Sequence, residues 1–166
     1  MVLGRRNELF LARLQPGKDT LEAAAKVFGG QLQKTVSSTQ NEKWTDACTG
    51  RTVTLEANAQ GVIQEITMDY GTKLRPACTP QMYAAAEREL FWQTGHGVKL
   101  GDSRQHLIEM YGKPGSTSPS VKDGRELELL YYAFYWAGSN VPQVMEVSCE
   151  RATGRVVEIL LAYPSL

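Results

Sequence analysis

The sequence has no excess of charge of either sign, because 18 lysine and arginine residues balance 18 aspartate and glutamate residues. It also has no run or stripe of basic residues and no aromatic RNA-binding motif. Proteins that bind nucleic acid need a positive surface to neutralise phosphates. The composition therefore predicts that nucleic acid is not a partner.

Long apolar segments are missing as well. Crossing a bilayer as a helix takes about 20 consecutive apolar residues, and polar or charged residues interrupt every apolar stretch before that length. We therefore predict no transmembrane segment in this chain. An early arginine pair is followed by an apolar stretch that Glu8 and Arg13 interrupt, which is not the pattern of a secretory signal.

The short motifs that mark common enzyme active sites are absent, including G-x-S-x-G, H-E-x-x-H, the P-loop and G-x-G-x-x-G. The sequence has only two histidines, His96 in a glycine-bounded loop and His106 beside the apolar face of a predicted helix. Both positions are typical of solvated side chains. The sequence therefore favours a protein that is not an enzyme and binds no cofactor.

Cysteine is scarce, with three residues, no C-x-x-C pair and no histidine at a metal-ligand spacing. That pattern argues against a zinc site. Cys48 precedes a turn and Cys78 lies in a loop with two prolines, so both are expected to be exposed. A Cys48–Cys78 disulfide is our preferred pairing in an oxidising compartment. Cys149 alternates with Met145 and Val147 and is expected to face the core.

Two similar segments are present, GKDTLEAAAKVFGG (17–30) and GDSRQHLIEMYGKPG (101–115). Each has a turn glycine, a capping side chain, apolar residues at helical spacing and a glycine stop. The cap is Ser103 in the later segment and Asp19 or Thr20 in the earlier one. Both segments are predicted to form short amphipathic helices.

Each of these helices is followed by short alternating strands. RTVTLEANAQGVIQEITM (51–68) and VMEVSCERATGRVVEILL (144–161) both have the pattern of a β-hairpin. The sequence thus predicts two helix/antiparallel-sheet repeats, residues 1–76 and 77–166, which share one continuous sheet because each half is small for a core of its own. A further helix is predicted over Thr79–Gly95.

The segment VKLGDSRQHLIEMYGKPG (98–115), with the aromatic strand and closing hairpin that follow it, resembles the β-lactamase-inhibitor-protein-like fold. It is also similar to the small lipoprotein family of the outer-membrane β-barrel assembly machine. The resemblance implies an α+β fold in which a tandem repeat of helix-loop-helix units packs on a four-stranded antiparallel sheet. It further implies an exported bacterial protein, periplasmic or secreted, with a cytoplasmic location as the alternative.

The strand ELELLYYAFYWAG (126–138) is the most informative segment for function. One of its faces begins with Glu126 and Glu128 and then becomes aromatic at Tyr132, Phe134 and Trp136. Either these rings are covered by the rest of the protein, or they face outward as a recognition surface. The resemblance favours recognition, because the related inhibitor binds its enzyme with an exposed sheet face.

These observations predict a non-enzymatic protein-interaction module of the bacterial cell envelope or secreted space, with a protein partner. The alternative is a carrier of a small molecule or peptide in a groove between helices and sheet. The candidate partner-binding residues are four aromatic and three charged side chains: Trp44, Tyr132, Phe134, Trp136, Glu126, Glu128 and Lys122.

Overall fold

The computed structural model describes residues 7–29, 32–46, 48–70, 92–134 and 143–163. These residues form one antiparallel sheet of eight strands, in the order β1-β2-β3-β4-β8-β7-β6-β5. The strands are β1 (Gln33–Ser38), β2 (Asn41–Thr45), β3 (Arg51–Ala57), β4 (Ile63–Tyr70), β5 (Ser116–Lys122), β6 (Arg125–Phe134), β7 (Gln143–Glu150) and β8 (Val156–Ala162). Two helices lie within the described residues, α1 (Leu21–Phe28) and α2 (Arg104–Tyr111).

Both predicted capped helices are confirmed. The hydroxyl of Thr20 accepts a hydrogen bond from Ala23 N at 3.1 Å and caps α1, which decides between the two candidate caps. The hydroxyl of Ser103 accepts from His106 N at 3.1 Å and caps α2. Side-chain caps satisfy amide groups that the first helical turn leaves without partners. Neither helix has the length needed to span a bilayer.

The two predicted hairpins are also confirmed. Strands β3 and β4 pair with Val53 opposite Met68 and Leu55 opposite Ile66, and all four side chains are fully buried. Strands β7 and β8 pair in the same manner and bury four apolar side chains, Met145, Val147, Ile159 and Leu161. Alternation along each strand therefore gives the sheet one apolar core face.

The predicted α+β architecture, a tandem repeat of helix-loop-helix units on a four-stranded sheet, is wrong. The last strands of the two hairpins pair with each other, with Met68 opposite Ile159 and Ile66 opposite Leu161. An edge strand leaves a row of backbone groups unpaired, and this pairing satisfies them. The result is a mainly β structure in which one eight-stranded sheet carries two helices of eight residues each, within the described part of the chain.

Part of the predicted helix Thr79–Gly95 is wrong as well. Residues 92–95 are not helical, and Thr94 N donates to Val98 O at 2.9 Å in a tight turn. Residues 79–91 of that prediction, and the predicted repeat boundary between residues 76 and 77, lie outside the described residues.

Candidate partner-binding surface

Three of the predicted recognition rings lie in the core. Tyr132 is fully buried, and Phe134 and Trp44 expose only 2% and 4% of their surfaces. Tyr111 of α2 lies with its ring centroid 5.9 Å from those of both Tyr132 and Phe134, while Phe28 of α1 lies 5.5 Å from Trp44. The helices therefore cover these rings, and the interpretation of them as an exposed recognition surface is wrong.

The predicted charged rim is not one cluster. Glu128 lies on the helix side of the sheet, where Arg104 Nε of α2 donates to its carboxylate at 2.5 Å. That hydrogen bond raises the pKa of Arg104. Glu126 is exposed near the start of β6. Lys122 lies on the face of the sheet opposite to the one that carries Glu128. Trp136, the fourth predicted ring, lies outside the described residues, so its role stays a prediction.

The sheet has a second face that neither described helix covers, which we call the open face. Its side chains alternate along the strands with the buried residues of the core and remain partly exposed. The open face consists of Leu129, Tyr131 and Ala133 of β6, Val144 and Glu146 of β7, Leu160 and Ala162 of β8, Glu65 and Thr67 of β4, and Thr54 and Glu56 of β3.

The open face is concave. Lys122 Nζ of β5 lies 3.2 Å from Asp69 Oδ2 of β4 and 3.4 Å from Glu158 Oε1 of β8. On a flat sheet, four interstrand steps of about 4.8 Å would separate β5 from β4 by about 19 Å, farther than a lysine side chain extends. The tip of the β5–β6 hairpin therefore curls over the open face. It encloses a cleft of about 50 Å³ above Leu127, which is 3% exposed.

Carboxylates cluster at the centre of the open face. Glu65 lies directly opposite Glu56 on the neighbouring strand β3, and Glu146 contributes from β7. Burial raises the pKa of Glu65 to about 7, and a hydrogen bond with Glu56 and the negative charges of Glu56 and Glu146 act in the same direction. At neutral pH the Glu65 carboxyl is therefore divided between its protonated and ionised forms.

Sequence reasoning missed this face, although a signal was present. Glu146 alternates with the buried residues Met145 and Val147, and Glu65 precedes the buried Ile66. Glutamates at alternate positions of an apolar strand mark its solvent side. On β6 the same rule took the face with Glu126 and Glu128 as the solvent side. These two glutamates lie near the start of the strand, and farther along the same face Tyr132 and Phe134 are buried under the helices.

The two histidines have structural contacts. The ring Nε2 of His96 lies 2.8 Å from the backbone oxygen of Asn7. The ring Nε2 of His106 lies 3.9 Å from Asp102 Oδ2, which is beyond hydrogen-bond distance. Within the described residues, no group of three histidine, cysteine, aspartate or glutamate side chains is arranged to hold a metal ion.

Cys48 is disulfide-bonded, whereas Cys149 is a free thiol. Cys149 faces the core as predicted, and burial raises its pKa to about 11, with a further contribution from Glu128. Cys48 is 7% exposed, so the expectation that it is exposed is wrong. Cys78 lies outside the described residues, and its pairing with Cys48 stays a prediction.

We expect peptide mapping without reduction to find the Cys48 peptide joined to the Cys78 peptide. Reduction should separate the two, because a disulfide is the link between them. The variant Cys149→Ser should give the same linked pair, since the buried thiol takes no part in it. A Cys48 peptide joined to Cys149 would contradict the pairing.

No model of a known protein family matches this chain, and no curated protein matches it in sequence. A cysteine-rich secretory protein from Staphylococcus aureus has a similar structure over 96% of this chain and 48% of its own, with a TM-score of 0.50 and 9% identity. This chain thus spans about half the length of that protein, and at such low identity the likeness concerns the fold alone.

A candidate β-lactamase inhibitor protein from Streptococcus mutans is also among the structural neighbours. It matches over 92% of this chain and 88% of its own, with a TM-score of 0.30 and 13% identity. A TM-score of 0.30 is too low to support an argument about this chain. The relation to the small lipoprotein family stays a prediction from the sequence.

Proposed function

We propose that this chain is a non-enzymatic protein-interaction module that binds a protein partner on the concave open face of its sheet. The observation that carries the proposal is the apolar floor of that face. Ala133 of β6, Val144 of β7 and Ala162 of β8 form one apolar row across three adjacent strands. Leu129 and Tyr131 of β6 and Leu160 of β8 extend this floor, with Glu146 of β7 between Tyr131 and Leu160, and all of these apolar side chains remain partly exposed. Contiguous apolar surface on a folded protein typically marks an interaction site.

Binding would be driven by burial of this floor and oriented by charges at its edge. Leu129 and Leu160 offer apolar area, and the ring of Tyr131 offers a large contact surface with few torsions to order. Lys122, Asp69 and Glu158 form a polar cluster where the hairpin tip curls over the face. Such rim charges contribute more to orientation and association rate than to affinity.

An exported location fits this proposal. The disulfide bond at Cys48 supports a periplasmic or secreted protein, because disulfides persist mainly in oxidising compartments.

A carrier function has less support. Two surface depressions, of about 370 and 440 Å³, are lined by Phe10, Arg13, Gln93, Thr94 and Gly95 and by Arg125, Glu126, Glu150, Arg151 and Ala152. Phe10 is the one aromatic residue among these, and the rest are mostly polar or charged, so neither depression has the mainly apolar lining of a typical small-molecule site.

Site-specific photocrosslinking in the source organism tests the proposed function. A photoreactive amino acid at Tyr131 should join the protein to a discrete partner, because this position lies on the apolar floor. The same group at Val36, which is 57% exposed on the edge strand β1, serves as the control. Leu160→Arg should abolish the Tyr131 product without unfolding the protein. Identical products from both positions, or none from Tyr131, would contradict the proposal.

A further inference from the structure

One end of the open face is covered by the chain itself. Leu127 of β6 and Ser148 of β7 lie on the same side of the sheet as the partly exposed Leu129, but both are buried. The tip of the β5–β6 hairpin lies over this end, and Lys122 lines the cleft above Leu127. Leu127 therefore continues the apolar floor underneath a cover that belongs to the same chain.

The tip is held in this position by contacts that water and ions reach. Lys122 Nζ lies 3.2 Å from Asp69 Oδ2 and 3.4 Å from Glu158 Oε1, and the Lys122 side chain is 48% exposed. Ion pairs with exposed members contribute little to stability and are screened by salt. Six of the seven residues of β5 are exposed, so burial adds little to hold this strand in place.

We propose that the tip of the β5–β6 hairpin, residues 120–125, is an autoinhibitory clasp on the partner-binding face. The structure has the closed form, in which the contacts of Lys122 keep Leu127 covered. In the open form the floor extends to Leu127, and Asp69 and Glu158 are free to contact the partner. This inference rests on the proposed function and adds its regulation, because the partner binds the open form and thereby selects it.

The hairpin has a point at which it bends. Pro119 lies in the middle of β5, between Ser116–Ser118 and the tip, and it has no amide hydrogen to donate. Within the described sheet, β5 is an edge strand and pairs with β6 alone. The tip can therefore turn away from the open face while the base of the hairpin stays paired in the sheet.

Thiol labelling measures the opening without a partner. In the variant Leu127→Cys, the uncharged reagent N-ethylmaleimide should react at a rate set by the fraction of open molecules. Adding Lys122→Met removes the ion pairs and should accelerate this reaction about fivefold. Sodium chloride at about 1 M should accelerate it in Leu127→Cys alone, because salt screens the ion pairs, but much less when Lys122→Met is also present. Mass spectrometry of the peptide that contains residue 127 gives the rates.

Two variants separate opening of the tip from other effects. Lys34→Met removes the ion pair between Lys34 and Glu42 near the opposite edge of the sheet, and it should leave the labelling of Leu127→Cys unchanged. The variant Leu130→Cys places the thiol on the core side of β6, at a fully buried position, and should stay unreactive with or without Lys122→Met. Equal acceleration at positions 127 and 130 would mean that the sheet unfolds, which would contradict the clasp.

Photocrosslinking from Tyr131 tests the regulation. Binding to a minor open form is weakened in proportion to its population. Lys122→Met should therefore raise the yield of the Tyr131 product by about the same factor as the labelling rate, since loss of a rim charge alters association rate more than affinity. Faster labelling with an unchanged or lower yield would exclude autoinhibition and leave the proposed function intact. Unchanged labelling would refute the clasp whatever the partner does, and absence of any Tyr131 product would count against both.

Discussion

Replacing Tyr132 by alanine should lower the free energy of unfolding by about 3–5 kcal/mol, the usual cost of removing a fully buried aromatic ring. The ring lies 5.9 Å from both Tyr111 and Phe134. Its hydroxyl donates to the backbone oxygen of Gly112 at 2.9 Å, so the substitution also leaves that carbonyl without this donor. Urea unfolding followed by circular dichroism measures the loss.

The next residue along the chain provides the matched control. Tyr131 has the same side chain on the same strand but lies on the open face and is partly exposed. Tyr131→Ala should therefore cost about 1 kcal/mol or less, while it should weaken partner binding. Equal losses of stability from the two substitutions would mean that β6 does not bury one face and expose the other.

The helices and hairpins could be predicted from the sequence because their determinants are local. The caps Thr20 and Ser103 lie within three residues of the amide groups that they satisfy. Each hairpin pairs residues that are near in sequence and alternate in polarity. The pairing of β4 with β8 joins Met68 to Ile159, far apart in sequence. No local pattern specifies which edge strands meet, so the sequence led us to expect a four-stranded sheet as the packing unit and a sheet shared between the repeats, but it did not indicate that β4 and β8 join them.

The face that we propose for partner binding could not be assigned from the sequence for a related reason. Alternation along β6 separates Tyr131 from Tyr132, but both faces carry apolar residues, and the pattern does not say which face a helix covers. That depends on the position of Tyr111 of α2 over the sheet. Curvature of the sheet is also a property of all its strands, which is why the contact between Lys122 and Asp69 could not be predicted.

A buried carboxylate joins three segments that are distant in sequence. Glu8 is 2% exposed, and its carboxylate accepts hydrogen bonds from the amides of Leu9, Phe10 and His96 at 3.0, 3.1 and 3.0 Å. The hydroxyl of Tyr111 donates to the same carboxylate at 2.5 Å. Burying a charge is unfavourable unless donors surround it, and here four of them do.

Replacing Glu8 by alanine should therefore lower the free energy of unfolding by about 3–4 kcal/mol, because three partly buried amides and the buried hydroxyl of Tyr111 lose their acceptor at once. Tyr111→Phe removes one donor and keeps the ring, so it should cost less, about 1–2 kcal/mol. Glu22→Ala, on the exposed side of α1, is the control for loss of a carboxylate and should change stability by about 0.5 kcal/mol or less.

Hydrogen exchange at the His96 amide should accelerate in Glu8→Ala beyond what the global loss of stability explains, since that amide is held directly by the carboxylate. Equal stabilities of Glu8→Ala and Glu22→Ala would show that the network does not hold the amino-terminal segment to the fold.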